Sequence, residues 1–318
     1  MANHRHDAMK SRVFPLILAA STIAVAEPLK PFERDGLIGA ENAISWRVAP
    51  LPSPSGGEKF AGSAFFQSLR TPSGFELNCI QPKDHLHHFG LWWPWKFIEA
   101  DGARHNTWEL QEGQGSHVAK SAKLISSDAG TIRWEMKNQF VIKSPDGSSR
   151  AAIDEPAIIT LSRVDDSHVL DIEIRQDPKS PAVTISAYRY SGFSWRGTAA
   201  WNKDNSTMLT SGGKGRDNAN GTPARWLLVS GATPNGKATM LIMSAAADLA
   251  GTEEKVRVWD SRMENGAPFV NFNPVMAKPL ALEPNNKAVS HRKYRIIAAD
   301  HAIDAAGAEA AWKKWLGR

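Results

Sequence analysis

The stretch VLDIEIRQD, residues 169–177, alternates apolar and polar side chains one by one, with Leu170, Ile172 and Ile174 set against Asp171, Glu173 and Arg175. A period of two marks extended backbone with one buried face, because successive side chains of a strand point to opposite sides. TIRWEMKNQ (131–139) repeats it with Ile132, Trp134 and Met136 against Arg133, Glu135 and Lys137, and GFELNCI (74–80) does so with Phe75, Leu77 and Cys79. Between such runs lie TPSG (71–74), DAG (128–130), SPDG (144–147) and TPNG (233–236). Proline presets one turn dihedral and glycine supplies the positive φ, so these read as hairpin connections. Helical periodicity is confined to AIDAAGAEAAWKKWLGR (302–318), where Trp312, Trp315 and Leu316 would dock a short helix. The pattern predicts an all-β protein: a large antiparallel β-sandwich or supersandwich with few short helices and a short C-terminal helix.

The first residues carry a basic leader (Arg5, Lys10, Arg12), an apolar run from Val13 to Val25 and the small triplet Ala24-Val25-Ala26. This is the layout of a signal peptide over residues 1–26, with Met9 as an alternative start, and the run is too short to span a bilayer. The expectation is a periplasmic or secreted protein with no membrane anchor after signal cleavage, residues 27–318 forming a single β-sandwich domain. Removal of three basic and one acidic residue lowers the formal charge from +5 to +3. With no Lys/Arg run and no base-reading motif, nucleic acid is not an expected partner. Cys79 is the sole cysteine, so no internal disulfide forms and the core must hold the fold.

The chemistry concentrates in QPKDHLHHFGLWWPW, residues 81–95. If residues 83–89 are extended, His85 and His87 share one face while Asp84 and His88 take the other. Two histidines at that spacing suit a divalent metal, held by His85 and His87, or metal-free acid/base and binding work; hydrogen-bonded histidines at a polar sheet edge are the third reading. A return of the chain across EADGARHNTWEL would bring His105 or Glu109 beside the pair. Trp92, Trp93, Trp95 and Trp108 are core candidates one by one. Together with titratable groups they suit a sugar, whose C–H faces stack on indole while its hydroxyls take polar partners. In YRYSGFSWRGTAAW (188–201), Tyr190 and Arg196 add a phenol and a fixed cation fit for a carboxylate, sulfate or developing oxyanion. TSGGKGRDNANGTPARW (210–226), with Arg225, lacks phosphate-loop spacing and reads as a mobile loop over a site. No G-x-S-x-G elbow is present to support serine-hydrolase chemistry.

The segments DHLHHFGLWW, NTWEL, YSGFSWR, LTSGGK leading to ARWLLVSG, NFNP and HRKYRIIAAD resemble, in order along most of the chain, the secreted bacterial family labelled PmoA-like, of unknown function. That resemblance implies a β-sandwich related to galactose-mutarotase-like folds and a place in carbohydrate utilisation. It marks Asp84, His85, His87, His88, Trp108, Glu109, Tyr190, Arg196, Arg225 and Trp226. Leu86 stands where the family has proline and Phe89 where it has arginine; Gly212 or Gly213 replaces an acidic position, and LIMSAAAD lacks an expected D-H-P-x-N run. The carbohydrate and family-motif readings together predict an exported carbohydrate-active enzyme of hydrolase, lyase or isomerase type. Its acid/base set is His85, His87, His88 and Glu109, with a histidine as acid and Glu109 as base. Asp84, Trp92, Trp93, His105, Trp108, Tyr190, Arg196 and Arg225 would bind a sugar or oligosaccharide. No cofactor is required, a divalent metal being the alternative. The other readings are a non-catalytic carbohydrate-binding protein and a His-ligated metal-dependent oxygenase.

Overall fold

The computed structural model describes residue 1 and residues 28–128, 130–144, 146–180, 182–246, 251–283 and 290–318, so the expected signal peptide lies outside the described residues. Two large antiparallel sheets face each other. The front sheet runs in the order Pro31–Arg34, Leu37–Ala40, Ile44–Arg47, Phe65–Leu69, Leu91–Trp92, Phe193–Arg196, Phe269–Asn273, Glu254–Val258, Pro223–Ala224. The back sheet runs Gly115–Ser127, Thr131–Lys143, Ser149–Val164, Ser167–Arg175, His291–Ala299, Gly236–Ser244, Trp226–Thr233, Ser206–Thr210. The strand Ser167–Arg175 is central to the back sheet, and Leu170, Ile172 and Ile174 point into the space between the sheets. They meet Ile132, Trp134, Met136 and Ile296 from their own sheet and Trp46, Phe66, Leu91, Trp195 and Phe272 from the front one. The alternation of the sequence is therefore the inside and outside of an antiparallel β-sandwich.

Hairpin chemistry holds where glycine supplies the positive φ. Ser144 N donates to Ser148 O (2.9 Å) over Gly147 at φ 82°, and Thr233 pairs with Gly236 across a two-residue loop. The expected strand at 74–80 survives only as single bridges at Glu76, Asn78 and Ile80. The Glu76 carboxylate takes the backbone N–H of Leu69 (3.0 Å) and Asn78 (3.1 Å), competing with a regular ladder. Outside the back sheet, the helix Ala305–Trp315 lays Ala308 and Trp312 on Trp226, Leu228, Leu241 and Met243, capped by Asp304, whose side chain accepts from Gly307 N (2.8 Å). A four-stranded sheet, Leu280–Leu282, Val183–Ile185, Phe97–Ala100 and Ala103–Asn106, packs over Phe140, Ile142 and Ile153. Among the described residues no helix is long and apolar enough to cross a membrane.

Candidate active site

Strand alternation gives the front sheet an outer face as well as an inner one. Phe66, Leu91, Trp195 and Val270 point inward, so their neighbours Phe65, Trp92, Arg196 and Phe269 point outward. Phe65, Phe89, Trp92, Trp108, Trp259 and Phe269 form a separate apolar cluster there. On it rests the loop of residues 81–88, pinned at its base by the Ile80–Phe89 bridge and by Gln81 N donating to His88 O (2.7 Å).

This loop is not extended. His85 N donates to Pro82 O (2.9 Å) and His88 N to His85 O (3.0 Å), two successive turns that replace the period of two. All three imidazoles consequently meet: ring centroids are 5.6 Å apart for His85 and His87, 4.6 Å for His85 and His88, and 5.0 Å for His87 and His88. His88 lies flat on Phe269 (4.8 Å) and is buried. Asp84 braces the turn from behind, its Oδ2 accepting from Arg196 (2.9 Å) and lying 2.9 Å from His85 Nδ1.

Opposite the histidines stands Glu109. The hairpin Phe97–Ala100 and Ala103–Asn106 returns the chain as the sequence suggested, and Asn106 Oδ1 then takes the N–H groups of Trp108 (3.0 Å) and Glu109 (3.1 Å), folding it toward the histidine loop. Tyr190 Oη donates to Glu109 Oε1 (2.8 Å) and the buried Lys96 Nζ to Oε2. Burial alone would raise the Glu109 carboxyl, but these two bonds, with the Asn106 bond and the Lys96 charge, outweigh it and hold it below the usual range. Burial, helped by the Glu109 charge, pushes the Tyr190 phenol up, so it stays a donor.

These side chains close on a cavity of 160 Å3 lined by His85, His87, His88, Trp108, Glu109 and Tyr190, with Arg189, Arg257, Trp259, Met263 and Phe269 completing the wall. Pockets that enclose larger organic ligands span roughly 300–1,000 Å3, so this one has room for a single ring. A larger cavity of 360 Å3, bordered by Ser244, Glu254, Asn273, Arg292 and Tyr294, is a weaker candidate. Of its two carboxylates, Glu254 is occupied by Tyr294 Oη (3.0 and 3.1 Å) and Ser244 Oγ (3.0 Å), and Glu253 pairs with Arg225 (3.3 Å).

Other expected site residues fall elsewhere. Trp92 lies beneath the lining residues, against Trp108 (5.5 Å) and His88 (5.4 Å), and supports the floor without facing the cavity. Trp93 has the opposite parity: it enters the sandwich core and donates to the buried Glu155 (2.6 Å). His105 is buried across from Ile98 in the four-stranded sheet, because the chain bends toward the cavity only after Asn106. Arg225 pairs with Glu309 (2.9 Å) and Glu253 (3.3 Å) and stacks on Trp312 (5.3 Å), fixing the C-terminal helix. The 210–226 loop is no lid. Asp217 is bound to Ser261 N (2.8 Å), and Asn220 Oδ1 accepts from Arg257 (3.0 Å) and Val258 N (3.3 Å), so the loop anchors the wall from outside. Sequence reading passed over Lys96, Arg189, Arg257, Trp259 and Phe269; only Lys96, a lysine directly after three tryptophans, and Arg189, between two tyrosines, carried a visible signal.

Among the described residues, Asp84, His85 and Glu264 form a group of three donors whose ligand atoms lie within 4.8 Å of one another, and His87 is not part of it. The Arg196 guanidinium sits on the Asp84 carboxylate (2.9 Å) and competes for it.

Burial drives the His87 imidazole down to about 4, against a smaller upward pull from Glu109, and holds His88 well below its usual value. Burial also lowers His168. Each of these imidazoles takes up a proton more readily when unfolded, below about pH 6.5, than when folded. Their contribution to stability is complete above that pH and is lost as the pH falls toward 4. Melting temperature should drop by several degrees between pH 7.5 and pH 5, and His168→Phe should flatten the slope; a melting point that is level or rises on acidification contradicts the assignment.

The fold and cavity define an antiparallel β-sandwich with a histidine-carboxylate pocket on an outer sheet face. The chain belongs to the family described as Family of unknown function (DUF6807), whose model matches residues 41–313. No curated protein matches it. Among solved structures it is similar to a galactose mutarotase-like protein from Lactobacillus casei ATCC 334 at 7% identity, covering 85% of this chain and 99% of that one with a TM-score of 0.41. A presumed aldose 1-epimerase from Escherichia coli K12 matches at 7% identity over 85% of this chain and 98% of the other, with a TM-score of 0.35.

Proposed function

We propose that this protein is an exported enzyme, periplasmic or secreted, that binds one sugar ring in the cavity and moves a proton on it. The observation that carries the reading is the convergence of His87, Glu109 and Tyr190 on one ring-sized, aromatic-walled hollow. Eight of the ten residues marked by the resemblance to PmoA-like proteins support it, Asp84, His85, His87, His88, Trp108, Glu109, Tyr190 and Arg196 lying in or directly behind that wall, while Arg225 and Trp226 sit against the C-terminal helix.

The pKa directions reorder the roles expected from sequence. Glu109 has both oxygens engaged and a depressed pKa, which makes it a poor base. His87 is neutral at neutral pH and, being driven down by burial, is itself a weak base; what sets it apart is the neighbouring Glu109 charge, which pulls its pKa upward and steadies a proton once it arrives. The imidazolium so formed is stabilised by the Glu109 charge and returns the proton as an acid, while Tyr190 orients the carboxylate. Hydrolysis by paired carboxylates loses support, because Glu109 is the single carboxylate among the described lining residues. Isomerisation or elimination, each needing one shuttled proton, fits better.

NMR of a panel of aldoses and uronates in D2O, following anomer exchange, C–H deuteration and new unsaturation, tests this. His87→Asn should lower turnover about a hundred- to ten-thousandfold with sugar affinity retained; unchanged turnover removes His87 from the chemistry. One observation favours a non-catalytic sugar-binding protein: the Glu109 charge is already met by Lys96, so the resting site holds no strong base. Sugar binding with no reaction in the wild-type protein would decide for that reading.

A further inference from the structure

We propose that the ring held in this cavity carries an oxyanion, a carboxylate or a sulfate ester, bound between Arg189 and Arg257. The inference rests on the sugar-pocket reading and narrows its substrate class. Both arginines line the cavity. Arg189 is exposed in the segment between Tyr188 and Tyr190, its guanidinium 5.7 Å from the Tyr190 ring. Arg257, on the strand Glu254–Val258, is half-buried.

Arg257 has only neutral neighbours for its hydrogen-bonding groups. Its Nη1 donates to the Asn220 amide (3.0 Å), its Nη2 touches Met263 Sδ (3.8 Å), and its Nε is buried without a partner. Among the described residues neither arginine forms an ion pair with a carboxylate. The anions nearby are committed: Asp260 to Arg262 (2.6 Å), Asp217 to Ser261 (2.8 and 2.9 Å) and Glu109 to Lys96. Asp260 still exerts some pull on Arg257, yet burial and the Arg189 charge together lower it. His87 and His88 add no competing charge near neutral pH.

Two guanidinium groups that repel each other across a small hollow, one with a buried unmet donor, are arranged at a cost that an incoming anion removes. The planar donor fork of arginine matches carboxylate and sulfate, whereas a neutral hexose offers hydroxyl acceptors but no charge to offset the two guanidinium groups. A cavity sized for one ring places that anion on the same ring that meets His87.

The test titrates glucuronate, galacturonate and mannuronate, their parent aldoses and the aldose 6-sulfates into the protein, followed by calorimetry. At least one charged probe should bind roughly ten- to a hundredfold more tightly than its neutral parent. That preference should shrink with added salt, weaken in Arg189→Gln and vanish in Arg257→Gln. Carboxylate against sulfate preference then names the oxyanion. Arg189 is exposed, so its substitution leaves the core intact; if Arg257→Gln does not fold, Arg257→Lys, which keeps the charge and loses the fork, takes its place and should weaken the preference. Neutral sugars binding as well as charged ones, or a preference that survives the arginine substitutions, overturns the proposal and leaves the sugar pocket standing. If no probe binds, the pocket reading falls and takes this inference with it.

Discussion

Replacing Lys96 with methionine should cost about 3–5 kcal/mol of folding stability, measured by urea unfolding at neutral pH. Lys96 and Glu109 are both sheltered, with side-chain exposures of 6% and 14%, and each is the other's charge partner. Removing the ammonium takes away one hydrogen bond and the partner charge, leaving only the Tyr190 and Asn106 bonds against burial, so the pKa of the Glu109 carboxyl should rise. A raised carboxyl destabilises the fold as pH rises through the new value, so the variant should recover part of its stability on mild acidification. Adding Glu109→Gln to Lys96→Met should restore much of the loss, because the stranded charge is then gone. A single-variant loss below about 1 kcal/mol would mean that solvent reaches the pair and that Glu109 is not electrostatically set by Lys96.

An effect of similar size is expected at Glu155, far from the cavity chemistry. This carboxylate is fully buried between the sheets and collects Trp93 Nε1 (2.6 Å), His117 Nε2 (2.8 Å) and Asn138 Nδ2 (3.4 Å) on one oxygen and Gln176 Nε2 (2.7 Å) on the other. Glu155→Ala leaves these donors unmet and opens a void, so about 3–5 kcal/mol should be lost, with a fall in melting temperature of roughly ten degrees. Glu155→Gln keeps the volume but turns an acceptor into a donor facing other donors, and should lie between wild type and alanine. If alanine melts within two or three degrees of wild type, the carboxylate is not the hub of the network.

The fold was legible because alternation is a direct consequence of strand geometry, and residues 131–139 and 169–175 carry it without interruption. The same parity, counted through Leu91, Trp92 and Trp93, separates the floor tryptophan from the core tryptophan; treating the three indoles of the segment as one group concealed it. The histidine cluster was legible in composition and not in geometry: nothing in DHLHH announces two consecutive turns, which depend on the bridge at Ile80 and Phe89. Glu109 was found through its spacing after a hairpin. Lys96, which sets its charge state, and Arg257, which comes from a strand almost 150 residues away, depend on tertiary proximity. Arg225 shows the reverse: a cation in a glycine-rich stretch suggested a ligand, and its true partner is a helix at the far end of the chain.

The pinned loop on the sheet's outer surface has an evolutionary corollary. Side chains along the exposed part of 81–88 can change without moving the backbone, and the rim positions 189 and 257 belong to other segments altogether, so substrate preference is free to change piecemeal. Insertions and deletions are a different matter: one residue gained or lost between the bridge and Trp95 would rotate an indole out of the interior and swing the imidazoles off their aromatic bed. Within this stretch, chain length should therefore be held more tightly than residue type, and diversity among relatives should be written in side chains and not in gaps.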